Sequence, residues 1–217
     1  MQIAIDGPAG VGKSTLAKAL AEHLGIIYLD TGAMYRGVAL LAKRAAIPPE
    51  DGPALTALLE ESALHFRMVD GKKCLFNHEE NLEDAIRTPE ISKIVSDYAK
   101  LASVRTAMTR QQQRIAAETS VIMDGRDIGT VVLPEADYKF FLVASARERA
   151  RRRYLELEAK GIHQDFDELV RDISERDRLD STREIAPLKQ ADDAIRVDTD
   201  NLNEKEVLEK IIAFISK

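Results

Sequence analysis

The residues best equipped for chemistry lie near the start of the chain. Gly7-Pro8-Ala9-Gly10-Val11-Gly12-Lys13-Ser14 meets the pattern G-x-x-x-x-G-K-[ST] at every defined position. Glycines let a backbone curl so that its N–H groups face inward. A helix beginning there adds unpaired N–H groups and positive dipole character. Such a loop cradles phosphates: the lysine ammonium reaches the β- and γ-phosphates, and the serine hydroxyl is placed to ligate Mg²⁺. A nucleoside triphosphate, ATP in the simplest case, is therefore expected on Gly7, Pro8, Ala9, Gly10, Val11, Gly12, Lys13, Ser14 and Thr15. The loop by itself does not choose among kinase, GTPase and motor. No guanine-reading N/T-K-x-D tetrapeptide occurs, and a DNA-handling ATPase should be longer and more basic than 217 residues with a formal charge of −6.

Two more polar loops could meet a phosphate. Leu29-Asp30-Thr31-Gly32-Ala33-Met34-Tyr35-Arg36 follows one apolar run, and Asp124-Gly125-Arg126-Asp127-Ile128-Gly129-Thr130 ends another. Open α/β sheets bind ligands at the carboxyl ends of their strands, and each loop brings an arginine there. Arg176, Asp180 and Arg183 are spaced i, i+4, i+7, one stripe if a helix runs that far. Guanidinium stays charged and grips phosphate bidentately, so converging arginines would suit a dianionic phosphate. Arg147, Arg149, Arg151, Arg152 and Arg153 crowd one further segment, with Ala146, Ala150, Tyr154 and Leu157 on its apolar side. These arginines point along several arcs and cannot all touch one phosphate; two or three are expected on a solvated face. Blander readings exist: Asp30 and Asp127 could end strands or cap helices, and Arg176–Asp180 could be a solvated ion pair. His23, His65, His78 and His163 lie apart, without metal-ligand spacing, and Cys74 reads as core.

Short apolar runs alternating with helical patterns must position these groups. Residues 2–5 predict a buried strand entering the glycine loop. Leu16, Leu20 and Leu24 predict a helix stopped by Gly25. Residues 26–29 predict a second strand, followed by a helix with Met34, Val38, Leu41 and Ala45 on one side. Strand, helix, strand, helix argues for a parallel, doubly wound sheet. Proline and glycine at 47–53 then break the pattern. A short helix at 55–61, a hairpin of strands 64–69 and 73–77 around Asp70-Gly71, and helices near 88–98 and 102–118 follow. Roughly 45–100 reads as an insertion on the sheet. Strands at 120–124, 138–143 and 194–198 and helices at 145–160, 166–180 and around 207–215 complete the pattern.

Composition sets outer bounds. Hydrophobic residues make up 45% and charged residues 31%, which supplies a core and a soluble surface and excludes disorder and collagen-like structure. One cysteine excludes a disulfide framework and a cysteine-based zinc site. No run of eighteen apolar residues occurs, so no membrane span is expected, and an opening without a basic leader predicts a cytoplasmic protein. The negative charge and the lack of aromatics among the clustered arginines argue against nucleic-acid binding.

Together, GPAGVGKST, LDTGAMYR, IRTPE, DGRDIGT and ERDRLDSTREIAPL resemble the bacterial cytidylate (CMP/dCMP) kinases, in that family's order and across the chain. The resemblance implies an α/β P-loop fold: a central parallel five-stranded sheet flanked by helices, a small β-containing monophosphate-binding insert and a helical lid. It implies one P-loop kinase domain over 1–217, with 1–30, 100–149 and 184–217 as core, 31–99 as monophosphate-binding region with the insert, and 150–183 as lid and adjoining helix. It implies Mg²⁺-assisted transfer from ATP to CMP or dCMP by a monomer, with no nucleic-acid or membrane partner. Arg36, Arg126 and Arg183 would hold the acceptor phosphate, Arg176 and Asp180 the ribose, and Thr31, Ser96, Arg105 and Asp127 the cytosine. Lys13, Arg126 and Arg152 would be catalytic, with Arg149 the alternative to Arg152, and Ser14 would hold Mg²⁺. A lid at 150–165 would close over ATP. A carboxylate suits the amino group of cytosine, whereas uracil would leave Asp127 facing a carbonyl. Two other readings stay open: a nucleoside-monophosphate kinase preferring another acceptor such as UMP, and a P-loop ATPase switch with no monophosphate acceptor.

Overall fold

The apolar run at the start of the chain forms β1 (Gln2–Asp6), buried from Ile3 onward. This computed structural model describes residues 1–159 and 161–215. The chain divides into two units, one of residues 1–29 and 115–215, the other of 30–114.

In the first unit, the chain leaves β1 through the glycine loop into α1 (Lys13–Leu24), which Gly25 ends in a left-handed turn. Next come β2 (Ile27–Asp30, whose last residue joins the second unit) and, after 114, the end of α5 (Ala102–Glu118). β6 (Val121–Gly125), β7 (Tyr138–Val143), α6 (Ala146–Ala159), α7 (Phe166–Thr182), β8 (Ile195–Asp198) and α8 (Glu204–Ile215) follow. The strands lie in the order β2-β6-β1-β7-β8, with β1 central and parallel to β6 and β7, and β8 parallel to β7. This is the expected five-stranded parallel sheet. Its inner strands are hydrophobic because parallel sheets are covered on both faces. Ile3, Ile5, Ile122, Phe140 and Leu142 pack with Leu16 and Leu20 of α1 and Val207 and Ile211 of α8. Ala150, Leu157 and Leu169 form a separate small cluster joining α6 to α7. The end expected for the α6 helix at residue 160 lies outside the described residues.

The second unit holds α2 (Thr31–Arg44), α3 (Pro53–Glu61), β3 (Leu64–Val69), β4 (Lys72–Asn77), β5 (Glu80–Asn81), α4 (Pro89–Ala99) and the body of α5. β3 and β4 are antiparallel around Asp70-Gly71, both at positive φ, as the hairpin signal requires. A two-residue third strand, β5, and a 3₁₀ turn over Ala85–Arg87 were not expected; both are too short to carry a periodicity. Cys74 is buried, as expected. Gly37 on α2 is required by packing, since a β-carbon there would lie 2.8 Å from the Leu75 side chain.

Candidate active site

The phosphate loop begins where β1 ends. Gly7 has φ of 150°, and a side chain there would collide with the backbone carbonyl of Leu142 on β7. Gly12, at φ of 96°, starts α1 from a conformation that L-residues avoid. The carbonyls of the loop are occupied in turn. Pro8 O accepts from Lys13 Nζ at 2.7 Å, Ala9 O from Arg149 Nη1 at 3.0 Å, and Gly12 O from the Leu16 N–H at 3.0 Å. Val11 O accepts from Arg152 Nη1 at 3.4 Å. A loop whose carbonyls are thus held has its N–H groups left for an anion. Thr15 is exposed at the top of α1.

Lys13 is 6% exposed. Burial drives its ammonium well below the ordinary lysine range, Arg126 and Arg176 push the same way, and Asp124 and Asp6 oppose them. A buried cation crowded by two guanidinium groups is stabilised by an arriving phosphate. Ser14 Oγ donates to Asp124 Oδ2 at 2.8 Å, and Tyr28 Oη donates to Asp124 Oδ1 at 2.8 Å. These hydroxyl and carboxylate oxygens are the hard donors that Mg²⁺ takes. Among the described residues no group of three or more His, Cys, Asp or Glu could hold a metal ion.

Beside the loop the first unit gathers Arg126, Arg176 and Arg183 around carboxylates. Arg126 Nε donates to Asp180 Oδ2 at 2.8 Å; among the described residues its Nη groups have no other partner. Burial raises the Asp180 carboxyl, but Arg126, Arg176 and Arg183 together outweigh it and hold the group below the usual range. Asp127, 3% exposed, lies 3.6 Å from Arg183 Nη2. Arg176, Asp180 and Arg183 would share one stripe only if the helix ran through Arg183, and it does not. α7 ends at Thr182, and Arg183 is already extended (φ −63°, ψ 143°). It turns back to donate to Ala186 O at 2.5 Å, and it meets Asp127 from the loop rather than from the helix.

The α6 arginines are already engaged. Arg149, 3% exposed, pairs through both Nη atoms with Asp177 of α7 and donates Nε to Ala144 O at 3.1 Å. A wheel that assigns only alanine, tyrosine and leucine to the buried side is therefore wrong at this position, because Asp177 satisfies the guanidinium. Arg152 donates Nη2 to Thr199 O at 2.6 Å and Nε to Glu148 at 3.0 Å. Arg151 and Arg153 pair with Glu148 and Glu156, and Arg147 lies 5.3 Å from the Phe166 ring centre.

In the second unit Asp30 caps α2, accepting from the Ala33 N–H at 2.9 Å, and receives Arg87 Nη2 at 3.1 Å. Arg87 also pairs with buried Glu83 at 2.9 Å. Arg36 folds against the first turn of α2, its Nη1 3.2 Å from where a β-carbon on Gly32 would lie. Thr31 is buried. Arg105, 4% exposed, stacks 4.8 Å from the Tyr35 ring centre. Ser96 is half-buried on α4. Thus the structure groups Lys13, Ser14, Arg126, Asp127, Arg176, Asp180 and Arg183 within the first unit, and places Thr31, Arg36, Ser96 and Arg105 in the second.

Sequence reasoning gave no role to Asp124, Asp6, Tyr28 or Thr199. Asp124 had a usable signal, an acidic residue ending an apolar strand opposite a phosphate loop. Thr199, 2% exposed, had none: its hydroxyl bridges Val143 O and Arg152 across long sequence separations.

Comparison with known proteins follows the same lines. A family model described as Cytidylate kinase matches residues 3–217. The chain is 49% identical over 217 residues to a cytidylate kinase of Lactobacillus johnsonii, covering 100% of this chain and 94% of that one. It is 49% identical over 218 residues to a cytidylate kinase of Carboxydothermus hydrogenoformans, covering 100% and 98%. Among solved structures, shikimate kinase from Bacteroides thetaiotaomicron aligns with a TM-score of 0.53 at 13% identity over 100% of this chain and 99% of that one, a likeness of fold alone. No described helix is long and apolar enough to cross a membrane.

Proposed function

The chain belongs to the cytidylate kinase family, and from that premise we propose that it transfers the γ-phosphoryl group of ATP to CMP or dCMP, giving ADP and CDP or dCDP. One observation carries the reading: Lys13 of the phosphate loop lies in the field of Arg126 and Arg176, whose neighbours are Asp180 and Arg183. A triphosphate cradle thus adjoins cations suited to a second phosphate.

In the first unit we assign Arg126 and Arg183 to the acceptor phosphate, Arg176 and Asp180 to the ribose, and Asp127 to the amino group of cytosine. In the second we assign Arg36 to the phosphate and Thr31, Ser96 and Arg105 to the base. The attacking oxygen belongs to a phosphate already ionised at neutral pH, so no general base is needed. Rate comes from alignment and charge neutralisation. Lys13 and the N–H groups of the loop hold the triphosphate, while the Nη face of Arg126 meets charge building on the transferring group. Ser14, with Asp124 beside it, would hold Mg²⁺, which when bound neutralises charge on the β- and γ-oxygens. Arg152 reaches the transferring group only after leaving Thr199 and Val11, a change that closure of the 150–165 segment would have to drive. The enzyme is read as a cytoplasmic monomer with small-molecule substrates.

A coupled ADP-release assay across CMP, dCMP, UMP, AMP and GMP tests this. Highest kcat/KM on CMP and dCMP is expected. Preference for UMP would replace the acceptor, and hydrolysis unaffected by any monophosphate would replace the reaction class.

A further inference from the structure

Asp6 has no place in the assignments above, yet it is the last residue of β1 before the glycine loop and is 4% exposed. Its carboxylate accepts two consecutive backbone N–H groups, Ile128 on Oδ1 at 2.8 Å and Gly129 on Oδ2 at 2.7 Å. Those two residues open the short π-helical turn over Ile128–Val132, directly after Arg126 and Asp127. The seat is tight. A β-carbon on Gly129 would stand 3.4 Å from Asp6 Oδ2 and 3.3 Å from the aliphatic stem of Lys139.

The charge on Asp6 has a cost. Burial, with Asp127 nearby, outweighs the two N–H groups and Lys13 and pushes the carboxyl up to about 6. An asparagine could accept from only one of the two N–H groups and would turn its own donor toward the other. Only a carboxylate satisfies both at once, so the buried acid has a geometric reason to be there.

We propose that Asp6 is a positioning residue for acceptor recognition: it ties the turn after Arg126 and Asp127 to the base of the phosphate loop and so fixes where those two side chains point. This rests on their assignment to the acceptor above. The tether joins points 122 and 123 residues apart in sequence, one preceding the triphosphate loop and one following the acceptor-binding pair.

The test is steady-state kinetics of Asp6→Asn, with each substrate varied in turn and thermal melting recorded. Losing a hydrogen bond to a charged group predicts a rise of about tenfold or more in the KM for CMP. The KM for ATP should change by less than about threefold on the same scale. Equal rises in both KM values would mean general damage to the fold and would overturn the proposal, as would no change in either. A second measurement needs no variant: in the wild-type protein the Ile128 and Gly129 amides should exchange with solvent at least about a hundredfold slower than an open chain. Exchange at open-chain rates would show that the tether does not exist. Failure of the wild type to phosphorylate CMP would instead remove the acceptor assignment, leaving the amide result to be judged separately.

Discussion

On α6, Arg149 and Arg152 direct their donors at Asp177, Glu148, Thr199 and the carbonyls of the phosphate loop, whereas Arg126, on the loop after β6, donates among the described residues only its Nε, to Asp180. Both groups lie in one unit and consist of the same side chain. The α6 arginines hold protein parts together, and a count of arginines would have ranked them first. A guanidinium marks a ligand site when its fork is still open, and a dense run of arginines with glutamates at i±3 and i±4 mostly satisfies itself.

The strongest way to break this contrast is Arg126→Ala. Removing a charge aimed at the transferring group should lower kcat about a thousandfold while ATP affinity, read by titration calorimetry, stays within a few-fold. Near-normal turnover would place Arg126 with the structural arginines. Arg149→Ala should do the opposite. It leaves Asp177 without its partner and frees Ala9 O, so about 3 kcal/mol of stability should be lost in denaturant unfolding. An unchanged midpoint would show that the α6 network is ornamental.

A pH series sharpens the contrast from the side of Asp6. Its carboxyl is pushed up to about 6 from 3.8, so between these values the folded protein keeps a proton that the unfolded chain has released. Relative to Asp6→Asn, wild-type stability should therefore fall by about 2 kcal/mol as pH rises from 4 to 6, by about 3 kcal/mol over the whole titration, and level off above about pH 7. A flat difference across that window would contradict the burial argument. The smallest effect belongs to Arg178→Ala, whose exposed pairing with Glu175 faces solvent. Neither melting nor kcat/KM should move, and a measurable loss would blur the line drawn between open and engaged forks.

Much of this could be read before any coordinates. The glycine loop, the leucine spacing of α1, the apolar runs of the five sheet strands and the Asp70-Gly71 turn carry local signals, because each is decided by neighbours within a few residues. The burial of Arg149 could not be read that way: its partners Asp177 and Ala9 are 28 and 140 residues distant. The same holds for Asp6, which looks like a strand end until the turn at 128–132 is folded onto it. β5 was missed for a different reason, since two residues of strand leave no period to detect.

The Tyr28 hydroxyl, donated to Asp124 beside Ser14, has an optical consequence. The chain has five tyrosines and no tryptophan, so phenol emission is not drained by indole. A phenol that hands its proton toward a carboxylate emits weakly, and any ligand that draws Asp124 away from it should brighten that ring. Filling of the triphosphate cradle should thus be visible as a rise in ultraviolet tyrosine fluorescence, lost in Tyr28→Phe, without a label of any kind.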